Sequence, residues 1–281
     1  MCLQELWWLE IQLALFIPLL AEFVTAMKQA FSYYDDQFYS DQADRSYSSA
    51  VVYINHLLNY IQLASVVDVG CGRGTWLKAF NEQGVEKCVG LDGTWNSQEK
   101  MISQAVQFFS INLASPSFMV DYSYDLAVSL EVAEHLPETS ADNFIDFLVQ
   151  LSSVVLFSAA YLNQGGDNHL NEQPHSYWAA KFLARNYIPF DLFRPRFWGD
   201  SSVDFCYRQN TFLYVRESSD LVPSLACKGV HPIEHIAFMD CIHPYLYAQR
   251  SSPRSMIMRG LGQITPSPIR PFVKSLLRRL S

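Results

Sequence analysis

The sequence has few charged residues and no apolar run long enough to cross a bilayer. Only 17% of the 281 residues are charged and 49% are hydrophobic, whereas a membrane-spanning helix needs about 20 consecutive apolar residues. The composition therefore excludes a polytopic membrane protein and also a disordered chain, which would be more polar. Internal repeats and low-complexity tracts are absent as well. What is left is one large domain with a hydrophobic core, or two small ones.

The six cysteines are scattered, and two of them fall in segments predicted below to be buried. Buried free thiols behave as small apolar groups, which favours a reducing, cytoplasmic compartment. Residues 1–25 are apolar, but Glu5 and Glu10 stand where a secretory signal carries positive charge. We therefore expect an apolar N-terminal helix, docked on the domain or on a membrane surface, or an upstream extension of a protein that starts at Met27.

The formal net charge of −8 is unevenly distributed. Residues 241–281 hold seven basic and no acidic residues, so residues 1–240 carry −15. An acidic body disfavours nucleic acid as the main partner, because it would repel phosphate. The segment 269–280 places its apolar side chains on one side of a helix and its basic ones elsewhere. This pattern predicts either peripheral contact with an anionic membrane or packing against the body.

Strand and helix patterns alternate through the middle of the chain. Strands are predicted at 65–69, 88–91, 106–111, 124–130 and 154–159, with helices at 46–63, 75–83, 97–104, 141–151 and 177–186. Two more apolar pieces, 188–193 and 211–215, are predicted to close the sheet as an antiparallel pair. Strands separated by helices indicate parallel βαβ units, so we predict an α/β fold. It is a Rossmann-like, doubly wound, mostly parallel sheet of about seven strands with helices on both faces. The predicted domain is 46–216, between an N-terminal segment 1–45, which is apolar and then Tyr-rich, and a helical extension 217–281.

A glycine loop joins the first predicted strand to the helix that follows it. It reads Asp68-Val69-Gly70-Cys71-Gly72-Arg73-Gly74, and such a loop lets a ligand approach the backbone and the amides of a helix start. Its G-x-G-x-G spacing differs from the dinucleotide fingerprint G-x-G-x-x-G, which disfavours a nicotinamide-dependent oxidoreductase. Asp92 ends the second strand, where a carboxylate can accept both hydroxyls of a ribose. The alternative is a tight turn and a capping aspartate that bind no ligand.

These motifs, with Gly90-Leu91-Asp92 and the run from Tyr124 to Pro137, resemble those of the class I S-adenosylmethionine-dependent methyltransferases. The likeness covers about 46–216 and implies S-adenosylmethionine as the cofactor. The residues it implies for cofactor binding are Asp68, Gly70, Cys71, Gly72, Gly74, Asp92, Asn112 and Glu131. Among them, Asp68 would lie near the amino group, Asp92 on the ribose and Asn112 near the adenine.

Residues 207–210 resemble, more loosely, a stretch in bacterial small-molecule and glycan-pathway methyltransferases. The reaction that this implies is O-methylation of a small molecule, a sugar or a secondary metabolite. N- or C-methylation by the same fold, or a non-catalytic protein that binds the cofactor or another protein, are the alternatives.

Glu131, Glu134 and His135 follow the fourth predicted strand, and His169 follows the fifth. Ligands bind at this edge of open α/β sheets. Glu131, His135 and His169 are therefore the candidate catalytic residues, with a histidine as general base. All four are also candidate ligands of a divalent metal ion. The E-x-x-E-H pattern with a later histidine is similar to that of metal-dependent RNA 2′-O-methyltransferases and ubiquinone-pathway O-methyltransferases. Metal-free relatives carry Glu-His here too, so both interpretations stay open.

Overall fold

The computed structural model describes residues 36–116, 123–166 and 168–251, with side chains from residue 45 onward. The apolar stretch in 1–25 and the basic segment 269–280 lie outside the described residues. Residues 43–248 form one compact unit. This unit continues beyond residue 216, the predicted end of the domain, because Leu225 and Met239 are fully buried in the two hydrophobic clusters beside the sheet.

Helices and strands alternate along the described residues. The helices are α1 (Asp36–Leu57), α2 (Thr75–Glu82), α3 (Ala141–Leu151), α4 (His175–Leu183), α5 (Arg194–Phe197), α6 (Phe205–Asn210), α7 (Leu221–Cys227) and α8 (Pro244–Ser251). The strands are β1 (Ser65–Val69), β2 (Lys87–Asp92), β3 (Val106–Ser110), β4 (Leu126–Leu130), β5 (Val154–Ser158), β6 (Tyr187–Phe190) and β7 (Phe212–Arg216). Short 3₁₀ turns cover Gln98–Lys100, Ala133–His135, Glu138–Ser140 and Ile236–Met239. In the described ranges, no helix is both long and apolar enough to cross a membrane.

The strands form one seven-stranded sheet in the order β3-β2-β1-β4-β5-β7-β6. Strands β1 to β5 pair in parallel, whereas β7 is antiparallel to both β5 and β6. The predicted Rossmann-like fold and its closing antiparallel pair are confirmed. The strand order reverses between β1 and β4, and in open α/β sheets ligands bind beyond the carboxyl ends of the strands at such a switch point.

Two hydrophobic clusters cover the two faces of the sheet. Val66 of β1 packs in the cluster that holds α1 and α2, while its neighbour Val67 packs in the cluster that holds α3 and α4. Successive strand residues point to opposite faces, so a strand covered on both sides needs apolar residues throughout. All five residues of β5 are buried, which explains the unbroken apolar runs in the sequence.

Two predicted helices differ from the structure. Helix α1 begins earlier than residue 46 and ends at Leu57, before the predicted end at 63. The helix predicted at 97–104 is wrong, since this segment forms only the 3₁₀ turn Gln98–Lys100. Met101 is its one buried residue, so it has no apolar face to stabilise a helix. The Gln98 side chain instead bonds to β3, donating to Val106 O and accepting from Phe108 N, both at 2.8 Å.

Candidate functional site

The glycine loop turns sharply from β1 into α2. Gly70 and Gly74 have φ values of 86° and 81°, in the left-handed region that glycine adopts without strain. A Cβ built on Gly70 would also overlap the side chain of Val132. The Gly70 amide donates to Leu91 O at 2.7 Å, which fastens the loop to β2. The first amides of α2 lack intrahelical acceptors, as at every helix start, and suit an anionic or polar ligand group.

Asp92 links the end of β2 to the glycine loop. Its Oδ2 accepts from the Gly72 amide at 2.7 Å and its Oδ1 from the Gly93 amide at 2.6 Å. Burial raises the pKa of Asp92, and the two amide bonds oppose that rise. Each oxygen keeps a second lone pair for a further donor. The carboxylate therefore holds the loop in place and can still accept a ribose hydroxyl.

The other predicted cofactor residues lie around this loop in different environments. Asp68 is only 4% exposed, and burial together with the nearby Asp92 raises its pKa to about 8. The Cys71 thiol is buried, and a Cβ built on Gly90 would meet its sulfur at 2.7 Å. Only the backbone of Cys71 therefore faces a ligand. Asn112 is exposed just after β3, and its Oδ1 accepts from the Ala114 amide at 3.1 Å.

Glu131 sits at the switch point in a constrained backbone conformation. Its φ of 56° is unusual for a residue with a side chain, and its amide donates to both O and Oγ of Ser158, at 3.1 and 3.0 Å. The carboxylate accepts from Gln164 Nε2 and from Asn210 Nδ2, each at 3.0 Å. Burial raises the pKa of Glu131, while these amide donors oppose the rise. We call Gln164 and Asn210 the amide clamp.

The amide clamp is itself held by buried polar groups. Asn210 Nδ2 donates to Gln164 Oε1 at 2.9 Å, and Asn210 Oδ1 lies 3.0 Å from Nε2 of His175. Burial lowers the pKa of His175. Gln209 accepts from the His243 amide at 2.7 Å, which ties the segment after α7 to the same network. The sequence predictions missed Gln164 as a site residue. It lies in the segment after β5, where the rule of strand ends also predicts ligand-binding residues.

Glu134, His135 and His169 come together beside Glu131. They offer ligand atoms within 4.8 Å of one another, and the two imidazole rings meet edge to face with centroids 4.8 Å apart. Glu134 is fully buried, and neither of its carboxylate oxygens has a hydrogen-bond partner among the described residues. Burial, with the Glu131 carboxylate adding to it, raises the pKa of Glu134 well above its usual range. Glu131, the fourth predicted ligand, is outside this group.

A second carboxylate orients His169. Nδ1 of His169 lies 2.8 Å from Oε1 of Glu172, which also accepts from the Gly165 amide at 2.6 Å. Burial raises the pKa of Glu172, but these bonds outweigh it and leave the pKa below its ordinary value. The imidazole also covers Gly166 so closely that a side chain there would displace it. The ring is therefore fixed, and Nε2, the nitrogen that Glu172 does not engage, lies over Gly166.

A known domain family matches the chain. The sequence profile described as "Methyltransferase domain" matches residues 39–186, just over half of the chain. This range includes the glycine loop, Asp92, Glu131 and the Glu134, His135 and His169 cluster. No curated protein matches the chain.

Several solved methyltransferase structures are similar to the chain at low identity. The small RNA methyltransferase HEN1 is 18% identical over 60% of this chain and 25% of its own, with a TM-score of 0.46. The SAH-bound magnesium protoporphyrin IX methyltransferase from Synechocystis PCC 6803 is also 18% identical, over 62% of this chain and 83% of its own, with a TM-score of 0.43. An O-methyltransferase family protein from Burkholderia thailandensis is 15% identical over 60% of this chain and 55% of its own, with a TM-score of 0.46. The chain thus spans a quarter of the first of these proteins and about half of the last. By its sequence match and its Rossmann-like sheet, the chain belongs to the methyltransferase-domain family, in its class I form.

Proposed function

We propose that this protein transfers a methyl group from S-adenosylmethionine to a hydroxyl group of a small molecule, a sugar or a secondary metabolite. The observation that supports this best is one of placement. The glycine loop after β1 and the imidazole cluster after β4 and β5 lie at the same edge of the sheet, on either side of the switch point. A cofactor held by the first would therefore present its reactive end toward the second.

Cofactor binding would depend on the acidic groups around the glycine loop. S-adenosylmethionine carries a positive sulfonium and an ammonium group, and Asp68 and Asp92 are the buried carboxylates that face the loop. Asp92 would accept the ribose hydroxyls and Asp68 would lie near the amino group, with Asn112 toward the adenine. The loop glycines and the Cys71 backbone leave the space that a ligand needs.

The acceptor half requires positioning and a base. When bound, S-adenosylmethionine would supply an electrophilic methyl group. The acceptor oxygen would bond to the methyl carbon in line with the breaking C–S bond, and S-adenosylhomocysteine would leave. The chain's own contribution is mainly to hold the acceptor oxygen at attack distance, and such positioning can be worth ~7–11 kcal/mol. The hydroxyl also loses a proton, for which Nε2 of His169 or the imidazole of His135 is the acceptor. A positioned base typically adds on the order of 10²–10⁴ in rate.

His169 has the geometry of an oriented base. Its Nδ1 donates to a carboxylate, Glu172, at 2.8 Å, and that bond selects the tautomer with a lone pair on Nε2. His135 is exposed beside it, and Glu134 is fully buried. The histidines therefore form the solvent side of the cluster. The amide clamp holds Glu131 near His169. Glu131 would then orient the acceptor or the methyl group.

The same cluster also fits a divalent cation. Two buried carboxylate oxygens of Glu134 lack donors, and His169 is backed by a carboxylate as metal-bound histidines usually are. Glu134, His135 and His169 would be the ligands, whereas Glu131 is engaged by the amide clamp. A cation there would lower the pKa of an acceptor hydroxyl. Removal of its proton would then depend less on a histidine base.

Binding and transfer assays test the proposal. Calorimetric titration should show binding of S-adenosylmethionine and none of NAD, and labelled cofactor should transfer its methyl group to a component of a cell extract. Binding without transfer to any acceptor would favour the non-catalytic alternative. A labelled product with the methyl group on nitrogen or carbon would show that the enzyme is an N- or C-methyltransferase and would contradict O-methylation.

Variants separate the roles of the histidines. We expect His135→Ala and His169→Ala to keep cofactor affinity and to lose turnover by roughly 10²–10⁴-fold. His231→Ala, which removes an exposed histidine outside the cluster, is the matched control. A chelator decides between the two chemistries, because it should abolish turnover only if the cluster holds a metal. Full activity in both variants would remove these histidines from the mechanism.

The charge distribution also bears on the partners of the protein. The acidic body favours a neutral or cationic small-molecule acceptor over nucleic acid, since phosphate would be repelled. Peripheral membrane contact through the chain termini, with an otherwise cytoplasmic protein, is the corresponding proposal for its location. Co-sedimentation with vesicles of phosphatidylserine, compared with neutral vesicles, tests the membrane contact.

A further inference from the structure

His175 is buried against the amide clamp, at the start of α4. It is only 2% exposed, its Nε2 lies 3.0 Å from Oδ1 of Asn210, and its Nδ1 lies 2.9 Å from the backbone oxygen of Met239. Each imidazole nitrogen either donates a proton or accepts one, and a neutral ring does one of each. The number of protons on His175 therefore follows from the nature of its two partners.

Two anchors fix the direction of the Asn210 amide. A flip would exchange its donor for its acceptor, so the direction is inferred from the partners. Nδ2 lies 3.0 Å from Oε1 of the Glu131 carboxylate, which accepts. On the other side, the His243 amide donates to Oε1 of Gln209, which leaves Nε2 of Gln209 to donate to Asn210 Oδ1 at 2.9 Å. Oδ1 of Asn210 is therefore an acceptor toward His175.

Both ring nitrogens of His175 thus face acceptors. The partner of Nδ1 is the Met239 carbonyl oxygen, which cannot donate and which also accepts from Arg194 Nη1 at 2.7 Å. Two bonds to acceptors need two protons, so this arrangement is that of an imidazolium ring. A neutral ring would place a lone pair against one of the two oxygens, at 2.9 or 3.0 Å.

The surroundings of the ring make its second proton easy to remove. Burial lowers the pKa of His175 below its usual value, and the Arg194 guanidinium adds to this, whereas the two hydrogen bonds and the Asp240 carboxylate oppose it. The Tyr161 ring also touches the imidazole, with centroids 4.8 Å apart, and burial raises its pKa, so it stays neutral. Glu131 is connected to the imidazole through Asn210. The charge of His175 therefore changes between acidic and neutral pH.

We propose that His175 is a positioning residue that holds the Asn210 amide, and through it the Glu131 carboxylate, only while both of its ring nitrogens carry a proton. When the second proton leaves, the remaining one stays on Nδ1, since a backbone carbonyl is a common partner of that nitrogen. Nε2 then directs a lone pair toward Asn210 Oδ1, and Glu131 is held less firmly. The effect on turnover rests on the proposed function, whereas the proton count of the ring does not.

Nitrogen NMR of the isotope-labelled protein tests the proton count. The His175 signals are those that disappear in His175→Gln, and His231→Gln, which removes an exposed histidine, is the matched control that should leave them unchanged. We expect two protonated ring nitrogens at about pH 5.5 and one, Nδ1, at about pH 8. The side-chain amide of Asn210 should shift over the same interval. A ring with one proton throughout, or an Asn210 amide that does not respond, would overturn the proposal.

Turnover tests the positioning role. Because His135 and His169 also titrate, the informative quantity is the ratio of wild-type to His175→Gln turnover at each pH, in which their titration cancels. Glutamine keeps a donor at every pH, so this ratio should fall as pH rises, by roughly 2- to 12-fold, the value of one hydrogen bond. His175→Leu, which has no donor, should be slower than His175→Gln throughout.

The outcomes separate this proposal from the proposed function. A ratio that stays constant with pH would show that His175 is merely structural. If the wild type transfers no methyl group to any acceptor, the proposed function fails, and the NMR titration alone decides whether His175 holds Asn210 through its second proton.

Discussion

Asp68 should make cofactor binding depend on pH in a range where most carboxylates do not titrate. Burial, with Asp92 nearby, raises its pKa to about 8, so about nine-tenths of the free protein carries a neutral Asp68 at pH 7. A ligand ammonium group binds the ionised carboxylate better, and binding must then expel the proton. Each pH unit below the pKa lowers the apparent affinity about tenfold, which gives a decrease of about 25-fold from pH 7.5 to pH 6.

Calorimetry with S-adenosylhomocysteine measures this effect directly. Titrations at pH 7 in buffers of different ionisation enthalpy should report release of about 0.9 proton per ligand. The range stays below pH 7.5, because the ligand's own α-amino group loses its proton near 7.7–8.0. Asp68→Asn should bind weakly and without pH dependence, whereas Asp125→Asn, at the opposite edge of the sheet, should behave like the wild type. Affinity that is flat between pH 6 and 7.5 in the wild type would refute the reasoning.

The same pKa has a consequence for stability. A carboxyl whose pKa is raised by folding binds its proton more tightly in the folded state, so its destabilising effect grows as pH rises from about 4 to about 8. At pH 7 the cost in the free energy of unfolding is at most about 4 kcal/mol. Asp68→Asn should therefore raise the denaturation midpoint at pH 7 and leave it nearly unchanged at pH 4. A variant that is less stable than the wild type at pH 7 would contradict this.

Three further substitutions test the site. Asn210→Leu leaves the partly buried Glu131 carboxylate without one donor and should destabilise the protein by about 1–3 kcal/mol in urea denaturation. Glu172→Ala frees the His169 ring and should lower turnover by about 10–100-fold at unchanged cofactor affinity, measured by steady-state kinetics and calorimetry. Gly70→Ala combines a positive φ with overlap of a neighbouring side chain and should reduce the free energy of unfolding by about 2–4 kcal/mol.

Controls separate these effects from general damage. Gly84 has a φ of 95° with open space where a Cβ would stand, so Gly84→Ala should lose only about 1 kcal/mol, from the backbone conformation. If Gly70→Ala loses no more free energy of unfolding than Gly84→Ala, the Val132 side chain moves aside at little cost. For Glu172, a parallel loss of cofactor affinity would point to a collapsed loop rather than a misoriented imidazole. For Asn210, an unchanged midpoint would mean that water replaces the missing donor.

The fold could be predicted from the sequence because its signals are local. Five short apolar runs separated by helical patterns are enough to indicate a parallel sheet covered on both faces. The prediction for 97–104 failed because the segment buries only Met101 and its Gln98 side chain bonds to β3. No periodicity in the sequence reports a bond of that kind.

The candidate site could be predicted only in part, for a similar reason. Residues at the end of a strand or directly after it, such as Asp92 and Glu131, are found from the rule that strand ends meet at one edge. The contact between Asn210 and Glu131 joins chain positions 79 residues apart, and the contact between His175 and Asn210 joins positions 35 residues apart. Such contacts follow from packing in three dimensions.

The bond from Asp92 to the Gly72 amide bears on how quickly a ligand can be captured. A loop that is closed by its own hydrogen bonds in the unliganded protein has already lost its backbone freedom, so little ordering is left for the encounter. We therefore expect association in a single step, with a rate proportional to ligand concentration and no slow isomerisation afterwards. In the Asp92→Asn variant we expect the free loop to be less ordered and to become ordered only after the ligand has bound. The binding trace would then show a second phase whose rate does not depend on ligand concentration.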